Sequence, residues 1–144
     1  MIKNPPQQQL RKLLEYYQNR RFSEAEKLAT SITQEFSEHQ FSWKVLSAVL
    51  KQTGRLSEAL AANQKSVQLA PQDASAHFNF GNTLQELTRL KEAESSYRNA
   101  IALKPDFTQA HCNLGIILHE LGKTDEAETS LRQAVILKPD YAEA

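Results

Sequence analysis

The sequence predicts an all-α chain built from a repeated pair of helices, and three observations carry that prediction. Apolar residues recur at helical spacing, as in Leu10, Leu13, Leu14 and Tyr17 and again in Leu114, Ile117, Leu118 and Leu121. Strand signals are nearly absent, with few β-branched runs and no Asn-Gly or Asp-Gly turn between alternating segments. The segments FSEAE at 22–26, LSEAL at 56–60, LKEAE at 90–94 and TDEAE at 124–128 each begin 34 residues after the last, which marks an internal repeat. Pro71, Pro105 and Pro139 keep the same step, as do Ala25, Ala59, Ala93 and Ala127.

Four copies follow, at about 6–39, 40–73, 74–107 and 108–141, each with room for two helices of roughly 13–14 residues joined by a short turn. In the first copy Leu10 to Tyr17 form the first helix, and Ser23 with Glu26 reads as a Ser-x-x-Glu capping box opening the second. The second copy has its first helix around Trp43, Leu46 and Leu50; Gly54 stops it in a left-handed conformation that costs glycine little, and Pro71 ends the second helix. In the third, Phe80, Gly81 and Leu84 precede a second helix with Ala93, Tyr97 and Ala100. The fourth opens on Asp106 with Gln109, read as an N-terminal cap, and passes Leu114, Gly115 and the stop at Gly122 to a helix with Ala127, Leu131 and Ala134. Arg20 and Thr88 occupy the slots of Gly54 and Gly122. Asp140 with Glu143 gives the same capping signature, so residues 142–144 read as the start of a further repeat.

Small residues mark where helices touch. Gly81 and Gly115, with Ser47 in the second copy, lie on first helices, and the knobs Tyr97 and Leu131 on second helices fill the space they leave. A helix pair of this size cannot bury its own apolar faces, so the copies must stack.

The bulk composition narrows the function classes. Seventeen basic and seventeen acidic residues give a formal net charge of zero, so no global field draws in nucleic acid or an anionic membrane surface. One cysteine rules out an internal disulfide, no stretch approaches a membrane span, and the N-terminus lacks a secretory signal. A cytoplasmic protein is the expectation.

The spacing of Trp43, Leu46, Leu50, Gly54, Ala59 and Pro71, then Phe80, Gly81, Leu84, Ala93, Tyr97, Ala100 and Pro105, then Leu114, Gly115, Leu118, Gly122, Ala127, Leu131, Ala134 and Pro139 resembles the tetratricopeptide repeat. The first copy departs most, with Lys12, Leu13 and Ser37 where the pattern has Leu, Gly and Pro, and reads as an atypical N-terminal cap. The resemblance implies a right-handed α-solenoid whose concave side, lined by first helices, binds peptides or proteins.

His111, Cys112, His119 and Glu120 invite a metal or nucleophile reading, but their spacing argues against it. His111 and His119 stand eight apart, about 12 Å along a helix, where paired ligands need three or four. Cys112 is about 10 Å from His119, too far for an activating base. No glycine-rich phosphate loop, HExxH or CxxC occurs. The expectation is a protein that is not an enzyme and needs no metal or cofactor. The acidic pairs Glu92/Glu94 and Glu126/Glu128 read as a solvated face.

Carried across copy by copy, the resemblance implies a peptide-binding groove. Its first half includes Leu10, Leu14, Tyr17, Phe41, Lys44, Ala48 and Lys51, aromatic and basic in character. Its second includes Ser75, Phe78, Asn79, Asn82, Gln85, Gln109, Cys112, Asn113, Ile116 and His119, rich in amides that donate to and accept from a peptide backbone at once. Lys44 and Asn79 match the family's clamp for chaperone C-terminal carboxylates, but Ala48, Gln109 and Asn113 stand in its other slots, which disfavours that ligand. Asn79 and Asn113 are similar to the asparagine ladder in the repeat arm of O-linked N-acetylglucosamine transferases. The expected function is therefore a non-catalytic scaffold with a protein or peptide partner and neither nucleic acid nor membrane. One alternative is the N-terminal recognition arm of a longer, bacterial-type glycosyl-, sulfo- or methyltransferase. Another is a self-assembling element whose last repeat meets a second copy.

Overall fold

The computed structural model describes residues 4–138. Among them are eight α-helices and no strand: α1 Gln7–Gln18, α2 Phe22–Glu35, α3 Gln40–Gln52, α4 Leu56–Leu69, α5 Ala74–Glu86, α6 Leu90–Leu103, α7 Thr108–Glu120 and α8 Thr124–Leu137. The chain divides into two compact units, one ending at Ala70 and the other beginning at Pro71. In the first unit α1 packs on α2, α2 on α3 and α3 on α4; in the second α5 packs on α6, α6 on α7 and α7 on α8. Residues 139–144, with the expected cap at Asp140 and Glu143, lie outside the described residues. No helix among the described residues is long and apolar enough to cross a membrane.

Each first helix ends in the same way. Arg20, Gly54, Thr88 and Gly122 all have positive φ, at 59°, 79°, 59° and 80°. The N–H of each bonds three residues back, to the carbonyls of Tyr17, Lys51, Gln85 and His119, and the next N–H bonds five back, to Tyr16, Leu50, Leu84 and Leu118. This is the Schellman closure, in which the left-handed residue lets two otherwise orphaned carbonyls be satisfied. Glycine fills the position without strain at 54 and 122, whereas Thr88, β-branched, is strained there.

The starts of helices correct two expectations. Ser23 lies inside the first turn of α2, whose N-cap is Arg21 with no side-chain cap bond, and Glu26 pairs instead with Arg55. Asp106 falls one residue too early, because α7 is preceded by Phe107 and has no side-chain cap. The slot in question is that of Asp73, whose Oδ1 accepts from the N–H groups of Ser75 at 3.0 Å and Ala76 at 3.3 Å. A shift of one residue turns the side chain away from the free N–H groups it would satisfy.

Another regularity joins the turns. Trp43 Nε1 donates to the Ser37 carbonyl at 2.9 Å, and the Nε2 atoms of His77 and His111 stand 2.9 Å and 2.8 Å from the carbonyls of Pro71 and Pro105. The same slot thus ties the start of three first helices to the turn before them, and His111 is used as a structural donor.

The core depends on a pairing of sizes. A methyl group built at Gly81 would lie 2.7 Å from Tyr97 Cε1, and one at Gly115 would lie 2.6 Å from Leu131 Cγ. Tyr97 is fully buried, which contributes roughly 2 kcal/mol through its apolar surface alone. In the first unit the sizes are reversed: Leu13 stands in the glycine slot and Ala29 in the tyrosine slot, both fully buried in one cluster with Ala25, Ile32 and Val49. The second repeat divides the volume between Ser47 and Asn63.

Ion pairs lie outside this core. Arg21, Arg55 and Arg89 each bind the glutamate three residues on. Glu94 was expected on a solvated face, yet its side chain is 14% exposed and bonds Arg98 at 2.9 Å and Lys123 at 3.1 Å. Burial works against its charge, but hydrogen bonds from those two cations outweigh it and hold its pKa below the ordinary range. Arg98 also reaches Glu126 at 3.4 Å. Exposed pairs of this kind contribute about 0–1 kcal/mol each.

Two measurements follow from this packing. Thr88→Gly and Arg20→Gly should each raise the stability in urea titration by about 1 kcal/mol, while Gly54→Ala should lower it by about the same amount. Gly81→Ala should destabilise by about 1–3 kcal/mol despite the helix propensity it gains, because the Tyr97 ring must move. Combined with Tyr97→Ala the loss should fall well short of the sum of the two single losses, and simple additivity would show that the two positions do not share one space.

Candidate functional site

The candidate residues lie on first helices of both units, and each unit presents a different chemistry. In the first, α1 and α3 display an apolar surface. Leu14 and Phe41 remain 38% and 36% exposed, and with Gln7, Leu10, Arg11 and His39 they line a shallow cleft of about 320 Å³. The His39 ring stands edge-on to Phe41 at 6.4 Å between centroids, and its Nδ1 is 2.8 Å from Ser42 Oγ. Burial lowers the His39 pKa, so the ring is neutral near pH 7. Tyr17 is half-buried with its ring 6.0 Å from that of Phe22, so part of its surface is spent within the repeat. Lys44, Ala48 and Lys51 are half-buried on α3.

In the second unit α5 and α7 carry amides around one phenol. The Tyr97 hydroxyl lies 2.6 Å from Asn82 Oδ1 and 2.7 Å from Gln85 Oε1. From α7, Asn113 Nδ2 donates to Asn82 Oδ1 at 3.1 Å and approaches the Tyr97 oxygen at 3.5 Å. Burial raises the Tyr97 pKa, so the hydroxyl stays a donor. Phe78 packs against Tyr97 with ring centroids 5.8 Å apart and against Phe107 at 4.7 Å.

The structure thus brings Phe78, Asn82, Gln85 and Asn113 together, with Tyr97 as the hub. Each amide is held by one end. The Asn82 and Gln85 amino groups and the Asn113 carbonyl make no hydrogen bond among the described residues. Asn79 goes further: half-buried on α5, its carboxamide has no hydrogen-bond partner among them at all. Gln109 stands apart, exposed near the start of α7, and lines a second cleft of about 390 Å³ with Lys104, Asp106, Phe107, Thr108 and Lys138. Ser75 and Cys112 are half-buried, Ile116 is 43% exposed and His119 is exposed near the C-terminal end of α7. Among the described residues no group of three His, Cys, Asp or Glu side chains could hold a metal ion.

Sequence reasoning treated Tyr97 only as a space-filler and missed Phe107 altogether. The signal was the phenol itself, because a tyrosine in a fully buried knob position requires polar partners on the helices it faces.

Comparison with known proteins points one way. A family model described as tetratricopeptide repeat matches residues 10–74 and 78–142. No curated protein matches in sequence. Among solved structures, a double mutant of MamA RS-1 aligns with TM-score 0.88 and 19% identity, covering 96% of this chain and 78% of that one. MamA residues 41-end from Desulfovibrio magneticus RS-1 gives TM-score 0.86 at 19% identity over the same shares. YrrB, described as a TPR protein with an unusual peptide-binding site, aligns with TM-score 0.81 and 25% identity, covering 87% of this chain and 64% of its own. The likeness to MamA shows the all-α repeat fold.

Proposed function

The chain belongs to the tetratricopeptide repeat family, and from that premise we propose that it is a non-catalytic scaffold that captures a peptide or protein segment on the exposed faces of its first helices. The observation that carries this reading is Asn79. A half-buried carboxamide without an internal partner, beside amides already oriented by Tyr97, is preorganised to meet the alternating N–H and C=O groups of an extended chain. The peptide-binding site of the similar YrrB supports the reading. The residues proposed to make the contact are Asn79, Asn82, Gln85, Asn113 and Ile116 in the second unit, with Tyr17, Phe41, Lys44 and Lys51 in the first. Phe78 serves mainly to hold the hub, and Gln109 and His119 stand at the margins.

The test is selection of binders from a displayed random peptide library, followed by titration of the selected peptides. Asn79→Ala should weaken binding by about tenfold, the loss of one or two hydrogen bonds, and leave the melting temperature unchanged because the Asn79 carboxamide has no internal hydrogen bond to lose. Failure to enrich any peptide, or binding indifferent to Asn79→Ala, Asn82→Ala and Asn113→Ala alike, would contradict it.

One observation favours self-association as a second reading. On α8, Leu131, Val135 and Ile136 are 38%, 45% and 72% exposed, whereas Tyr97, one repeat before Leu131, is fully buried. If α8 meets a second copy, the mass in sedimentation equilibrium rises with concentration and Ile136→Asp abolishes the rise. A constant monomer mass excludes it.

A further inference from the structure

The first unit carries a cleft whose chemistry differs from that of the amide cluster, and we propose that it seats a bulky apolar side chain of an acidic peptide segment, with the Arg11 guanidinium taking a neighbouring carboxylate. The inference rests on the peptide-binding reading and adds to it the class of ligand the first unit selects.

The other described arginines are all engaged within the chain. Arg21, Arg55, Arg89, Arg98 and Arg132 each pair with a glutamate, and Arg20 lies over the Phe22 ring at 5.5 Å. Arg11 alone among the seven described arginines has neither an ion pair nor a ring among the described residues, and it is exposed. An unpaired surface cation is ordinary in open solvent, but this one forms part of the lining of the apolar cleft of Leu10, Leu14 and Phe41. The lining contains no carboxylate. Apolar walls lower the local dielectric, so a charge-assisted bond made at the rim is stronger than one on an open face.

The surroundings reinforce the sign. Helices α1 and α3 together carry Arg11, Lys12, Lys44 and Lys51 against the single acid Glu15. By contrast α5 and α7 contain no lysine or arginine and end on Glu86 and Glu120. An acidic segment is therefore drawn to the first unit by its field as well as by the one contact. The apolar requirement comes from Leu14 and Phe41, more than a third exposed with the Phe41 ring set by the edge of His39. Covering them returns the hydrophobic free energy that the free protein forgoes.

The experiment uses fluorescence anisotropy with the whole chain and three labelled peptides of equal length. In one, leucines alternate with aspartates; in the second lysine replaces aspartate; in the third serine replaces leucine. The leucine and aspartate peptide should bind, and each replacement should cost about tenfold or more in affinity. Arg11→Glu should weaken the acidic peptide by about tenfold and improve the lysine peptide, with an unchanged melting temperature, since Arg11 makes no internal bond. Phe41→Ala should weaken every leucine-containing peptide. Asn79→Ala should leave this binding intact, which separates the cleft from the amide cluster. No binding of the acidic peptide up to millimolar concentration, equal binding of all three, or indifference to Arg11→Glu would each overturn the proposal, while the Asn79-dependent capture could still stand.

Discussion

Everything in this chain depends on how closely a first helix can approach its second. At the crossing one side chain must be small so that its opposite can be large, and the four repeats solve this differently: Leu13 against Ala29, Ser47 against Asn63, Gly81 against Tyr97 and Gly115 against Leu131. The volume is shared in each case, but the chemistry is not. Where the large partner is leucine the crossing carries no polar side-chain atom. Where it is tyrosine, a hydroxyl is carried into the core and must be satisfied. That need draws Asn82 and Gln85 of α5 and Asn113 of α7 into one network, so a packing choice on α6 fixes the polar face of two other helices. The second repeat shows the cost of an imperfect solution: Asn63 is 3% exposed and its Oδ1 has no hydrogen-bond partner among the described residues, a loss of about 1–3 kcal/mol.

The architecture was legible because its determinants are local and repeat. The segment around each alanine at 25, 59, 93 and 127 marks a second helix, and Gly54 and Gly122 announce the left-handed stops that the structure shows. The same register even locates the stops at Arg20 and Thr88, where the residue type argues against a positive φ. Here the repeated closure, with its two hydrogen bonds, overrides the preference of the side chain. The capping signatures failed for the opposite reason. A Ser-x-x-Glu pattern holds no information about which residue begins the helix, and Ser23 misses the N-cap by two positions while Asp106 misses it by one.

The candidate site was legible as a face but not as a network. Periodicity places Asn79, Asn82, Gln85 and Asn113 on first helices, and nothing in it says which amides are already engaged. That depends on contacts between residues 12 to 31 apart in the chain. The same gap hid the tie from Trp43, His77 and His111 to the preceding turn, which gives His111 a structural use the spacing does not announce. A histidine that donates to a carbonyl through Nε2 keeps Nδ1 as its one remaining polar atom.

Specificity in a repeat scaffold must then come from where its copies stop being alike. The structural slots are filled with residues that differ little in role: a left-handed stop, a donor to the turn, a shared volume at the crossing. The groove-facing slots of the first helices differ in chemistry between the two units. In the first unit they hold leucine and phenylalanine around a cleft, with Arg11 at its lining left over after every other described arginine has found a partner. In the second they hold amides, and α5 and α7 carry glutamates at their ends but no lysine or arginine. Charge is discriminating at long range and geometry is discriminating at contact. On the proposed readings, sequence preference belongs to the cleft of the first unit and tolerance of sequence to the amides of the second.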